Sequence, residues 1–83
     1  MAQELRFPVV AHQRLIVIAA ERDFAATQAL FAAFDLVEPL AEVRASSGGK
    51  YVSFALSVRL KDHDEMNRFD ERLKRVPGLK MVL

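Results

Sequence analysis

The sequence of 83 residues contains no cysteine and no tryptophan, and it has only three glycines and three prolines. Without cysteine there can be no disulfide, no thiolate metal site and no cysteine nucleophile. The formal net charge is only +1, so no surplus of one sign attracts or repels a phosphate backbone. The apolar run Leu15–Ala20 is far shorter than the roughly 20 residues that a membrane-spanning helix requires.

These absences predict a cytoplasmic protein that does not enter a membrane. The first residues, Met1 to Arg6, lack the basic start and apolar stretch of a signal peptide. The length predicts one domain. A chain of this size buries only about 60–65% of the surface that its unfolded form exposes, so a partner subunit would help to stabilise it.

Local patterns predict four strands and two helices after an N-terminal arm. The β-branched run Leu15–Ala19 is typical of a strand buried on both faces. Asp23 predicts one helix N-cap, and Asp62 with Glu65 three residues later predicts another. The predicted elements are the arm at 1–13, a strand at 14–20, a helix at 23–35, strands at 40–47 and 50–60, a helix at 62–76 and a strand at 79–83.

The order of these elements predicts the fold. Two right-handed crossovers around a central hairpin place both helices on the same side of one four-stranded antiparallel sheet. The sequence therefore predicts an α+β sandwich of the ferredoxin-like βαββαβ type.

The register of the hairpin follows from its two adjacent glycines. A two-residue turn at Gly48-Gly49 can supply the positive φ angles that such a turn needs. Counting outward from this turn gives apolar pairs that face the helices, Ala45 with Val52, Val43 with Phe54 and Ala41 with Leu56. The alternate pairs face away from the helices, Ser46 with Tyr51, Arg44 with Ser53 and Glu42 with Ala55.

The uncovered face of the sheet is the predicted interaction surface. The first strand must present one set of alternate residues there, either Leu15, Val17 and Ala19 or Ile16 and Ile18, and both sets are apolar. An apolar stripe rimmed by charge is typical of an interaction site. As an alternative, the arm could cover this face through Leu5, Phe7, Val9 or Val10. The candidate surface comprises Leu15, Ile16, Val17, Ile18, Arg44, Ser46, Ser47, Gly48, Gly49, Lys50, Tyr51, Ser53 and Arg59.

Three segments of the chain resemble the YbeD-like family of small bacterial proteins of unknown function. They are Phe7-Pro8, the hairpin from Ser46 to Ser53, and the C-terminal Leu79-Lys80-Met81-Val82-Leu83. The resemblance implies the same fold and no particular reaction. It also implies a topology shared with ACT-type regulatory domains, which pair through their sheets or helices. The chain departs from the family at Ile16–Ala20, so a ligand role of that loop is not carried over.

The chain shows no pattern of residues that predicts catalysis, a metal or a cofactor. His12 and His63 are far apart, and the acids around His63 fit the first turn of a helix better than a metal site. Ser46–Lys50 joins two strands, so it has no helix N-terminus to hold a phosphate. No Ser/His/acid arrangement is recognisable, and we expect no enzyme activity.

Three functions remain open from the sequence. We expect a non-enzymatic regulatory or protein-interaction module that self-associates through the uncovered sheet face. The first alternative is an ACT-like sensor of a small molecule. A single-stranded RNA binder is less favoured, because only Tyr51 would offer an aromatic ring to a base on that face.

Overall fold

A computed structural model describes residues 6–43 and 48–83. The elements in chain order are β1 (Val9–Ile18), a short 3-10 helix (Ala19–Glu21), α1 (Phe24–Leu30), β2 (Asp35–Glu42), β3 (Tyr51–Leu60), α2 (His63–Leu73) and β4 (Leu79–Val82). The strands form one antiparallel sheet in the order β2-β3-β1-β4, so β3 and β1 are central. This arrangement confirms the predicted ferredoxin-like βαββαβ fold.

β1 begins earlier in the chain than the sequence predicts. It starts at Val9 instead of 14 and ends at Ile18 instead of 20. Each of its residues pairs with β3, from Val9 opposite Leu60 to Ile18 opposite Tyr51. The prediction of an arm over 1–13 is therefore wrong from Val9 onward. His12 points away from the helices there, whereas its neighbours Val9 and Ala11 point toward them, as in a strand.

α1 is shorter and β2 begins earlier than predicted. α1 ends at Leu30 and not near 35, because the chain turns at Phe31 and Phe34. Both rings pack on Phe69 of α2, at centroid distances of 5.2 and 5.4 Å. β2 spans Asp35–Glu42 where the sequence predicted 40–47. The helical spacing of apolar residues cannot locate the end of α1. Phe31 and Phe34 lie on the helix side of the sheet although they are beyond the helix, so the spacing continues past its end.

The register of β2 against β3 differs by one residue from the predicted register. Glu42 lies opposite Phe54, where Val43 was predicted, and Ala41 lies opposite Ala55, one residue from its predicted partner. Because paired residues point to the same side, Glu42 belongs to the helix side and not to the uncovered face. The predicted pairs of Arg44, Ala45 and Ser46 lie outside the described residues.

The burial of β2 agrees with this register. Leu40 is 5% exposed and belongs to the core, whereas Val43 is 38% exposed. β2 also has two irregularities, between Leu36 and Glu38 and between Glu38 and Ala41. Such irregularities shift the facing of side chains along an edge strand. Simple counting outward from Gly48-Gly49 therefore cannot give the register.

The two sets of alternate residues in β1 point to different environments. Leu15 and Val17 are both 0% exposed and pack in the core with Phe54. Their prediction as interaction residues is wrong, because they are the set that faces the helices. Ile16 and Ile18 point to the opposite side of the sheet and are half-buried.

α2 has the apolar stripe and the N-terminal cap that the sequence predicts. Phe69 and Leu73 are buried and Met66 packs against the core, and Val76 is buried just beyond the helix, which ends at Leu73 and not at 76. The Asp62 side chain accepts a hydrogen bond from the Glu65 amide at 2.8 Å, and the Glu65 carboxylate accepts one from the Lys61 amide at 2.9 Å. At the start of α1, Asp23 accepts a hydrogen bond from the Ala26 amide at 3.0 Å. Both predicted caps are confirmed.

Candidate functional site on the open face of the sheet

The face of the sheet away from the helices, called here the open face, carries an apolar group at one end. This apolar patch consists of Ile16, Ile18, Tyr51 and Met81. Ile16 lies opposite Met81 of β4, and Ile18 lies opposite Tyr51 of β3. Met81 is 49% exposed. The patch spans the central strands and the edge strand β4.

The middle of the open face carries a polar cluster of His12, Glu38 and Ser57. Each comes from a different strand, β1, β2 and β3 respectively. Ser57 Oγ lies 2.6 Å from His12 Nδ1 and donates a hydrogen bond of 2.5 Å to Glu38 Oε1. Ser57 is only 2% exposed, whereas the side chains of His12 and Glu38 are 74% and 68% exposed. The cluster is therefore a buried hydroxyl between two exposed polar groups.

The directions of these hydrogen bonds follow from the donors available. A carboxylate only accepts, so the single hydroxyl hydrogen of Ser57 goes to Glu38. In the His12 tautomer that carries its hydrogen on Nδ1, the hydroxyl oxygen then accepts a hydrogen bond from that nitrogen. In nucleophilic catalysis the serine instead gives its proton to the histidine. The sequence showed no Ser/His/acid arrangement. The fold brings one together, with the buried Ser57 hydroxyl between the other two groups.

An open pocket of about 290 Å³ adjoins the polar cluster. Its lining combines charged, polar and small apolar residues from β1, β2 and β3 with the residue after β4. The lining residues are His12, Gln13, Arg14, Glu38, Pro39, Ala41, Ala55, Leu56, Ser57 and Leu83. The pocket can therefore offer one cation, one carboxylate and an apolar wall to a small molecule.

The family of the chain is established by its match to a family model. The model described as "Protein of unknown function (DUF493)" matches residues 2–83. The chain belongs to the DUF493 family. The resemblance to the YbeD-like family is thereby confirmed, because the two names denote the same family.

The fold of this DUF493 chain is also found in a solved structure. The solution structure of protein HP0495 from H. pylori matches with a TM-score of 0.77 and 17% sequence identity. The match covers 99% of this chain and 88% of that chain. At this identity the likeness establishes the fold alone. No curated protein matches the chain.

The DUF493 fold brings some of the predicted site residues together on the open face and separates others. Ile16, Ile18, Tyr51, Ser53 and Arg59 point to the open face. Leu15 and Val17 lie in the core. Gly48, Gly49 and Lys50 are exposed at the hairpin. Arg44, Ser46 and Ser47 lie outside the described residues.

The described part of the N-terminal segment does not cover the open face. Phe7 packs against the core, and its ring lies edge-on to the His63 ring of α2 at a centroid distance of 4.5 Å. Val9 lies on the helix side, opposite Leu60. Val10 points to the open face but is 40% exposed. Leu5 lies outside the described residues.

Sequence reasoning missed the pocket of this DUF493 chain. Its polar residues, His12, Arg14, Glu38 and Ser57, are separated in the chain and form no motif. A signal was present in β1, where Val9, Ala11, Leu15 and Val17 have the same parity and leave His12 and Arg14 on the other face. Reading 1–13 as an arm concealed this alternation.

Two further findings concern metals and membranes. In residues 6–43 and 48–83 no group of three or more His, Cys, Asp or Glu side chains could hold a metal ion. Asp62 and Glu65 beside His63 are instead used in the helix cap. Neither helix in the described ranges is long and apolar enough to cross a membrane.

Proposed function

We propose that this DUF493 protein is a non-enzymatic interaction module that self-associates through the apolar patch of its open face. The observation that carries the proposal is the pairing of Ile16 with Met81 beside Ile18 and Tyr51, on the face that the helices leave uncovered. Contiguous apolar surface of this kind is typical of interfaces.

A second copy of the chain is the partner that fits this patch. The patch is apolar, so it carries no charge that would repel an identical surface across a two-fold axis. It also reaches β4, at the edge of the sheet, so a second sheet can approach it without meeting a further strand. A chain of 83 residues has a small core, and burial of this patch between two copies would add to it.

Of the two arginines predicted to rim the interface, the one that the structure describes is paired with an acid. Arg59 lies on the open face, but its guanidinium donates to Asp35 Oδ2 at 3.0 Å. Arg44, the other predicted rim residue, lies outside the described residues. The proposal therefore rests on the apolar contacts and not on rim charges.

Stacking of RNA bases has little support on this face. Tyr51 is the one Phe, Tyr or Trp residue of the described ranges whose ring belongs to the open face. Phe54 is 0% exposed and packs edge-on against Phe24 on the helix side, with ring centroids 5.8 Å apart. Single-strand binders use several exposed rings in succession. An ACT-type regulatory role stays a prediction, because a shared topology does not carry a function.

The test is sedimentation velocity of the wild type and of two single variants, Ile16→Asp and Met81→Asp. We expect the wild type to dimerise in the micromolar range and each variant to weaken dimerisation at least tenfold, because a charge would be buried at the contact. Val10→Asp is the matched control. It places the same charge on the same face outside the patch, and should leave dimerisation unchanged.

Two results would contradict the proposal. One is a wild type that stays monomeric up to several hundred micromolar. The other is a pair of folded patch variants, verified by thermal unfolding, that associate as strongly as the wild type. Val17→Asp does not test the interface, because this residue is in the core and the variant should unfold.

A further inference from the structure

Two opposite charges line the pocket without neutralising each other. Arg14 and Glu38 are both lining residues. In the described part of the chain, Arg14 takes part in no ion pair, and the His12 ring, at 3.7 Å, is the one basic group within ion-pair distance of Glu38. Neighbouring charges behave differently, since Arg59 and Asp35 lie 3.0 Å apart. The pocket thus presents an unpaired cation and an exposed carboxylate to the same small volume.

The carboxylate of Glu38 accepts a hydrogen bond from a buried residue of the sheet. Ser57 is buried and donates its hydroxyl hydrogen to Oε1 of Glu38. Glu38 lies opposite Ser57 in the sheet, between the two irregularities of β2, and this pairing places it on the open face. A carboxylate fixed by a buried donor loses less conformational freedom when it binds a ligand.

The backbone of Arg14 is paired with neighbouring residues on both sides. It lies on the central strand β1, opposite Ala55 of β3. On its other side, its carbonyl accepts a hydrogen bond from the Leu83 amide at 2.8 Å. The backbone of Arg14 is therefore paired on both sides, while Leu83 is 66% exposed and available for apolar contact.

The size of the pocket limits the ligand. Its volume of about 290 Å³ is just below the roughly 300–1,000 Å³ that small-molecule sites occupy. The apolar residues of the lining are Pro39, Ala41, Ala55, Leu56 and Leu83. These residues suit a short aliphatic group and not a nucleotide.

We propose that this pocket binds an α-amino acid with a small aliphatic side chain. Arg14 would bind the carboxylate in a two-pronged contact, Glu38 would accept hydrogen bonds from the ammonium group, and Leu83 would contact the side chain. A simple anion is disfavoured by Glu38, and a simple cation is disfavoured by Arg14. A ligand that carries both charges satisfies both residues. The site is built from residues outside the apolar patch, so it does not depend on self-association.

The experiment is an NMR titration of the full chain with L-leucine and two matched analogues. One analogue, 4-methylpentanoate, lacks the amino group, and the other, 3-methylbutylamine, lacks the carboxylate. We expect saturable shifts of the amides of Arg14, Ala55 and Leu83 with leucine. Each analogue should bind at least about tenfold more weakly, because one charged hydrogen-bonding group is missing.

Variants localise the site. Arg14→Gln and Glu38→Gln should each weaken leucine binding at least about tenfold, since each removes one charged contact. Arg59→Gln is the matched control, because it removes the same charge from the same face outside the pocket lining. It should change the dissociation constant less than twofold. Thermal unfolding of each variant verifies that it is folded.

Three outcomes would overturn the inference. The first is the absence of saturable shifts up to 20 mM with glycine, L-alanine, L-valine and L-leucine, at about the millimolar limit of weak specific binding. The second is binding of 4-methylpentanoate as tight as that of leucine, which would indicate a plain anion site. The third is unchanged leucine binding by the folded Arg14→Gln and Glu38→Gln variants.

Discussion

Ser57 donates a hydrogen bond of 2.5 Å to Glu38, and this bond joins central strand β3 to edge strand β2 between the two irregularities of β2. A buried hydroxyl thus links the sheet where the regular pairing is interrupted. The same hydroxyl oxygen also lies 2.6 Å from Nδ1 of the His12 ring. The same residue therefore serves both the edge of the sheet and the polar cluster of the open face.

Removal of this hydroxyl should destabilise the fold measurably. We expect Ser57→Ala to lower the free energy of unfolding by about 1 kcal/mol, the usual net value of one intramolecular hydrogen bond whose partners can be solvated. Ser53→Ala is the control, because Ser53 is on the same strand and face and has no side-chain hydrogen bond within the described residues. Urea denaturation measures both. Equal effects of the two substitutions would show that the Ser57 bonds add nothing.

The three glycines should respond to alanine in a graded series. Gly48 has no positive φ, and an added Cβ would meet nothing within 4 Å, so Gly48→Ala should be nearly neutral. Gly49 has φ +71° in open space, so Gly49→Ala should cost about 1–2 kcal/mol for the left-handed conformation alone. Gly78 has the same φ, but its added Cβ would lie 2.8 Å from the Glu21 Cβ.

Gly78→Ala should therefore cost more than Gly49→Ala, by about 1–3 kcal/mol of steric overlap. The added Cβ would also lie 3.3 Å from the backbone oxygen of Ile18, which is held within the sheet. The free energies of unfolding of the three variants test the order. A Gly78→Ala variant no less stable than Gly49→Ala would contradict the close approach.

The register of β2 can be tested with two substitutions. Leu40 is 5% exposed, so Leu40→Ala should cost about 2–5 kcal/mol, as for other buried leucines. Val43 is 38% exposed, so Val43→Ala should cost less than about 1 kcal/mol. The register counted from the glycine turn would make Val43 the buried residue. Denaturant unfolding that finds Val43→Ala the more costly change would support that earlier register.

The cap of α2 predicts a difference between two neighbouring aspartates. Asp62 accepts a hydrogen bond from the Glu65 amide, so Asp62→Ala should cost about 1 kcal/mol of stability. Asp64 lies in the first turn without a side-chain hydrogen bond among the described residues, so Asp64→Ala should cost about 0.3–0.5 kcal/mol through the helix dipole alone. Thermal or urea unfolding of both variants measures the difference. A loss at Asp64 as large as that at Asp62 would argue against the cap.

Much of the fold could be predicted because its signals are local. Asp62 and Glu65 start α2, and the spacing of Phe69 and Leu73 gives its buried face, from interactions within a few residues. The inward direction of Phe54 was also predicted correctly, although its partner on β2 was not. Local patterns are reliable here because helix period and capping depend on near neighbours in the chain.

The ends of elements and the facing of the edge strand needed the tertiary structure. α1 stops at Leu30 because Phe31 and Phe34 turn to pack on Phe69, a contact across the molecule. The side of the sheet to which each β2 side chain points depends on the burial of Leu40 and on two irregularities in the strand. The sequence pattern predicts neither of them.

The chain alone determined the order of strands and helices, both helix caps and the residue types available for an interface. The tertiary structure decided that Val17 is core while Ile16 is half-buried on the open face, and that His12, Glu38 and Ser57 meet. Those three residues are neighbours only across paired strands, and Ser57 is 45 positions from His12 and 19 from Glu38. Contacts over such separations depend on the register of whole strands, which the packing of the core selects.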